Sequence, residues 1–222
     1  MVNKDSKLGV ENTNSLKRYT ELPFVLQILQ SKSISLLNAN SWDDKNDAHY
    51  VECYRKKSKL KSVLALCLTE ASQTYHHWRI FSQGASGACI YFKRPDFLKW
   101  VSETAGLEGK KVLYKNIKQL TEEVGNGKIE LADIPYIKRK AYQNEAEFRL
   151  IFESDKLKKI KTFPLPLSII DRVVLNPWLP PSTVASLKLL IGKIDGCENI
   201  PVFRATIVQN DEWRKLADAI KI

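Results

Sequence analysis

Long apolar runs are missing from this chain. None approaches the roughly 18 to 20 residues that crossing a bilayer requires, and the opening MVNKDSKLGVENTNS lacks the apolar stretch of a signal peptide. A cytoplasmic location with no membrane partner is therefore expected. Cysteine is scarce, and Cys53, Cys67, Cys89 and Cys197 show no CxxC or CxxH spacing, which argues against a disulfide framework and against zinc. Cys67 and Cys89 lie inside apolar runs, where a thiol behaves as a small hydrophobe. Histidine is scarcer still: His76 and His77 are adjacent and so point apart, and with His49 they form no HExxH-like set. No low-complexity tract and no repeat with a period of about 20 to 50 residues occurs, which sets aside disorder and solenoids. The chain also has no GxSxG, no Walker loop and no dinucleotide fingerprint, so the enzyme classes those motifs mark lose their support. No metal is expected.

What is present is an average globular mixture, 44% hydrophobic and 27% charged over 222 residues, a length suited to one well-buried core. A polar, mobile segment over residues 1–15 and one domain over 16–222 are expected. The formal net charge of +10 attracts anions, and basic residues cluster in YRKKSKLK (Tyr54 to Lys61), YIKRK (Tyr136 to Lys140) and KLKKIK (Lys156 to Lys161). Nucleic acid is thus a candidate partner through a basic surface. The runs lack interleaved aromatics, however, and such runs are commonly solvated faces.

Periodicity gives the elements. Phe24, Val25, Ile28 and Leu29 predict a helix opened by Glu21 or Pro23 and ending near Ser31, followed by a short strand at Ile34 and Leu36. NANSWDDKND reads as an Asn- and Asp-rich loop before a helix over His49 to Lys59, with Asp44 or Asp47 as its cap. KSVLALCLTE and GACIYFK read as neighbouring buried strands, joined through a short helix that puts Trp78 and Phe81 on one face. Pro95 to Thr104 is helical in pattern, KKVLYKNI is strand-like, and IKQLTEEVGNGK is a helix ended by a glycine turn. NEAEFRLIFES alternates, with Phe148, Leu150 and Phe152 on one side and Glu145, Glu147, Arg149 and Ile151 on the other. A further strand, a helix begun at Pro180 and Pro181, the strand VFRATIV and a short helix complete the chain. Without regular βαβ alternation the fold class is α+β, with a mixed, mostly antiparallel sheet and flanking helices.

A dense polar and aromatic set stands out: Arg18, Tyr19, Trp42, Asp43, Asp44, Asn46, Asp47, Trp78, Arg79, Glu145, Glu147 and Arg149. The plainest reading of the strand residues is an ion-pair ladder on an exposed sheet. The alternative is the floor of a cleft.

The series LKRY, LQILQSKSISLLNANSWDDKND, LALCLTE, YHHWRIFSQGASGACIYF, VLY, KRKAYQNEAEFRLIF and VVLNPWLPPSTVASLKLLI, spread from about Leu16 to Trp213, resembles a bacterial family catalogued only as a domain of unknown function, DUF2971. Its members look like abortive-infection proteins of phage defence. Many relatives have Asn-Asp-Pro-Phe-Glu in the loop where this chain has Asn46, Asp47, Ala48, His49 and Tyr50, so a role for that acidic residue is not carried over. The resemblance implies that the polar set converges on one pocket whose layout is similar to that of ADP-ribosyltransferases such as the DNA-modifying toxins. It implies NAD as cofactor, held by Arg18 and Tyr19, with Trp42 or Trp78 stacking on a ring and Asp47 in the same pocket. Glu147 would be the catalytic carboxylate and Arg149 its orienting partner. A carboxylate stabilises the oxocarbenium charge that builds as an N-glycosidic bond breaks, and a guanidinium fits a pyrophosphate. Two other readings remain open: a non-catalytic ligand- or partner-binding module of a defence or toxin-antitoxin system, and a magnesium nuclease using Asp43, Asp44, Asp47, Glu145 and Glu147.

Overall fold

The computed structural model describes residues 14–82 and 84–220. Most of the expected mobile segment 1–15 lies outside the described residues, and Ser15 already opens a strand.

That strand, β1 (Ser15–Glu21), leads into α1 (Leu22–Ser31) and β2 (Ser33–Asn38). α2 (Lys45–Lys57), β3 (Ser62–Thr69), α3 (Tyr75–Phe81), β4 (Gly87–Lys93) and α4 (Arg94–Glu103) follow. Next come β5 (Leu107–Lys111), β6 (Leu113–Lys115), α5 (Ile117–Gly125), β7 (Ile137–Arg139) and β8 (Glu147–Ser154). The chain ends with β9 (Ile160–Pro164), β10 (Ile170–Leu175), α6 (Pro181–Gly192), β11 (Val202–Arg204) and α7 (Asp211–Asp218). The main sheet runs β11-β10-β4-β1-β3-β2-β9, with β8 on β3 and β5 on β8. Its pairs are antiparallel except β10 with β11, while β6 and β7 form a separate parallel pair. The fold class expected from the sequence is the one observed. No described helix is long and apolar enough to cross a membrane.

β3 and β4 are expected from their composition to be neighbours, and they are not. β1 lies between them, pairing with β4 along its whole length. Its sequence SLKRYTE hid this, because Lys17 and Arg18 break the apolar run that marks a buried strand. KKVLYKNI splits at Val112, and the Lys-rich run Lys156 to Lys161 leads into β9, which pairs with β2.

The sheet forks at β3. One edge of β3 pairs with β8 from Ser62 to Thr69, whereas the other is shared by β2 at Leu64 and Ala65 and by β1 at Thr69 alone. On one face Leu64, Leu66, Leu68, Phe148 and Leu150 pack into the largest apolar core, which takes in Val25 and Leu29 of α1 and Phe97 and Val101 of α4. The opposite face carries two smaller apolar clusters. Val51 and Tyr54 of α2 pack on Val63, Ala65 and Ile151, and Trp78 of α3 packs on Cys89, Tyr91 and Val174. Pleating therefore places Cys67, Thr69, Glu147 and Arg149 on that second face, between the clusters.

A candidate ligand cavity over a buried ion cluster

Asp44 caps α2: its Oδ1 accepts from Asn46 N at 3.0 Å and Asp47 N at 3.2 Å. The turn reading of the loop is right for Asp44, and α2 begins four residues earlier than expected because this cap holds it. Asp47, in the first turn, points inward. Its Oδ1 and Oδ2 receive Arg149 Nη1 and Nη2 at 2.9 and 2.7 Å. Arg149 is fully buried and spends its remaining donors on Glu147, at 2.7 and 3.0 Å, and on Pro135 O at 2.7 Å. Its guanidinium carbon lies 4.9 Å from the Trp42 ring centre. Such a fork, satisfied on every side, is what a buried guanidinium requires.

Lys138 of β7 adds a second cation. Its Nζ lies 2.5 Å from Glu145, 3.0 Å from Glu147 and 3.6 Å from Asp47. Three carboxylates thus share two cations, leaving one formal negative charge when all are ionised. Burial pushes Glu147 up, but Arg149 and Lys138 outweigh it and hold the carboxyl down at about 2. Glu145 and Asp47 shift upward, because for them burial outweighs the attraction of Lys138 and Arg149 respectively. Glu145 lies outside β8, in the short 3-10 segment before it, and Ala146 turns the chain between the two glutamates with φ 41°. That left-handed residue lets both carboxylates reach Lys138. Tyr114 Oη accepts from Glu147 N at 2.8 Å and fixes the start of the strand.

Above this cluster lies a cavity of about 490 Å³. Arg18, Tyr19, Trp42, Asp47 and Glu147 all line it, as do Glu145 and Lys138. Arg18 bridges the fork in the sheet, its Nη1 donating to Cys67 O at 3.3 Å. Among the described residues it has no carboxylate partner, and its buried Nε has no acceptor. Burial lowers its pKa from the ordinary arginine value. Tyr19 presents its ring with a buried hydroxyl that likewise lacks a partner, and burial raises its pKa far above the ordinary phenol value.

Two expected roles need correction. Trp78 has no exposed surface and is not on the cavity wall; it meets Tyr19 edge-on at 5.1 Å and donates to Gln73 at 2.9 Å. It backs the ring that faces the ligand space, because α3 turns its face inward onto β4. Gly87 allows that approach, since a Cβ there would lie 2.0 Å from Ser82 Cβ at the end of α3. Arg149 is also off the wall: it touches no ligand and holds Glu147 in place, a positioning role of the kind expected of it. Nor is Glu147 a surface-cleft carboxylate on an exposed ladder: it is 4% exposed and doubly ion-paired. The sequence reading missed Lys138, hidden in a short basic run, and Cys67, Thr69 and Tyr142, which carry no motif. Among the described residues no three His, Cys, Asp or Glu side chains gather as metal ligands, so the acidic set gives the nuclease reading no geometric support.

No protein-family model matches the chain, and no curated protein matches it. Among solved structures, DarT of Thermus sp. 2.9 in complex with NAD+ is similar at 8% identity, covering 87% of this chain and 96% of that one, with a TM-score of 0.42. DarT in complex with ADP-ribosylated ssDNA is similar at 9% identity, over 87% of this chain and 94% of that one, with a TM-score of 0.44. At this distance neither likeness assigns a function.

Proposed function

We propose that the cavity binds NAD and that the protein is an ADP-ribosyltransferase-like effector of the phage-defence or toxin type implied by its resemblance to DUF2971, acting on nucleic acid or protein. The observation that carries this reading is Arg18, a half-buried guanidinium whose buried Nε has no acceptor and which has no carboxylate partner among the described residues, set in the wall of a cavity that also bears an anionic cluster. A buried donor left without an acceptor is costly, and a bound pyrophosphate would supply both the acceptor and a counter-charge. The volume suits a small-molecule site. Tyr19 and Trp42 supply ring faces, and the net negative charge of the Asp47, Glu145 and Glu147 cluster favours a cation forming on the ribose.

In the reaction the bond between the ribose carbon and nicotinamide breaks, and its electron pair leaves with nicotinamide. A nucleophile of the acceptor then bonds to that carbon and gives up its proton. Glu147, held low at about 2, stays an anion and acts through its field. Among the described residues Glu145 has only Lys138 as ion partner, and its raised pKa suits it to hold a proton from the acceptor.

The test is nicotinamide release from NAD by the full chain, with and without oligonucleotide. Arg18→Gln and Glu145→Gln should each lower the rate by roughly a hundredfold, the scale of losing one preorganised charge. Unchanged rates in both variants would remove the reading. One observation favours the binding-module alternative: both Glu147 oxygens are already committed to Arg149 and Lys138. That alternative predicts that NAD stabilises the protein while no nicotinamide is released.

A further inference from the structure

A second cavity, of about 260 Å³, adjoins the first, and Asp44, Asp47 and Lys138 line both. Its walls are chemically unlike those of the main cavity. Ile117, Leu120 and Ile137 give it apolar sides and Tyr50 adds a ring, while Arg139 stands at its edge. Arg139 is exposed and has no ion pair or hydrogen bond from its side chain among the described residues, whereas Lys115 beside it is bound to Glu123 at 2.6 Å. Asp44 contributes the other unspent group. Its Oδ1 caps α2, but its buried Oδ2 has no partner among the described residues.

We infer that this second cavity is a nucleotide-binding subsite for a single-stranded nucleic acid. An apolar slot beside a tyrosine ring takes a base, the free Asp44 oxygen accepts from an exocyclic amine or a sugar hydroxyl, and the Arg139 guanidinium meets a phosphate. The chain's net charge of +10 draws in the rest of the strand. The inference deepens the proposed transfer reaction and rests on it for its consequence. A nucleotide seated here lies across Lys138 from Glu145 and Glu147, which is where an acceptor has to wait for the ribose carbon.

Binding is measured by fluorescence polarisation of labelled 12-nucleotide DNA and RNA strands against the full chain over a range of salt, alongside thermal shift with NAD. Leu120 and Ile117 are on α5, which has no buried residue, so Leu120→Trp fills the slot without touching a core. Leu120→Trp and Arg139→Glu should each weaken binding at least about tenfold. Arg139→Glu should also flatten the dependence of log affinity on log salt by about one unit or more. Neither should alter the NAD-induced shift. Lys159→Glu makes the same charge change at an exposed position away from both cavities and should have a much smaller effect. A wild-type chain that binds neither strand overturns the inference, as does equal weakening by Lys159→Glu and Arg139→Glu with none from Leu120→Trp. A missing NAD shift with these strand results intact would overturn the transfer reading and leave the subsite standing. A stronger response to DNA than to RNA, or the reverse, identifies which strand the subsite takes.

Discussion

Replacing Arg149 by Met removes the cation that joins the α2 loop to the floor of the cavity while keeping most of the side-chain volume. The variant loses two hydrogen bonds to Asp47, two to Glu147 and one to Pro135 O. Removing one partner of a buried ion pair costs about 3 to 5 kcal/mol. An independent route gives a similar size. Glu147 is depressed from 4.5 to about 2, and at about 1.4 kcal/mol per unit that shift is worth ~3 kcal/mol. For a chain of this length each kcal/mol moves Tm by roughly 2 to 4 °C, so a fall of about 10 °C is expected at pH 7. The effect should shrink in acid, with a definite sign. A carboxylate with a depressed folded pKa contributes stability above its unfolded pKa and loses it as pH falls toward 2. Asp47 and Glu145, shifted upward, act in the opposite sense: their contribution is present below their unfolded pKa and is lost as pH rises through the folded one. Removal of Arg149 lifts Glu147 back up, so variant and wild type should converge between about pH 4.5 and 2. Thermal unfolding at pH 7 and pH 3.5 measures both arms. A variant within about 2 °C of wild type at pH 7, or a gap that widens in acid, would refute the keystone role of Arg149.

Other expectations follow from single residues. Glu147→Gln should lose stability as well as any activity, by about 3 kcal/mol at pH 7, because Arg149 and Lys138 each lose a buried carboxylate partner; chemical denaturation reads this directly. Gly87→Ala should destabilise by at least about 2 kcal/mol, since the new methyl overlaps Ser82 and must push the end of α3 off β4. The same variant should disturb near-UV circular dichroism from Trp78. Ala146→Gly should stabilise by about 0.5 to 1 kcal/mol, because glycine adopts φ 41° without the strain a Cβ brings; a lower denaturation midpoint would contradict that account.

The helices and apolar strands were legible because their periods are strong. Val25, Ile28 and Leu29 recur on one face of α1, and Phe148, Leu150 and Phe152 alternate along β8 as expected. β1 was not, because its charged residues serve the cavity and so erase the pattern by which a buried strand is recognised. The convergence of Arg18, Tyr19, Trp42, Asp47 and Glu147 around one hollow was stated from residue types and a family resemblance, and these five do share it. Burial was misjudged for Glu147 and Trp78. A period of two shows which residues share a strand face but not whether that face is covered, and here α2, α3 and β7 cover it. Lys138 was invisible for a related reason: in a run of five residues with three basic side chains, only the tertiary fold decides which one turns inward.

Whether the cavity holds NAD through Arg18 is decided by isothermal calorimetry of NAD binding to the full chain, wild type against Arg18→Gln. Wild type should show saturable one-site binding that Arg18→Gln weakens at least about tenfold, the scale of losing a charge-assisted hydrogen bond to pyrophosphate. Equal affinity in both proteins, or no heat from either at millimolar NAD, would contradict the proposed NAD site.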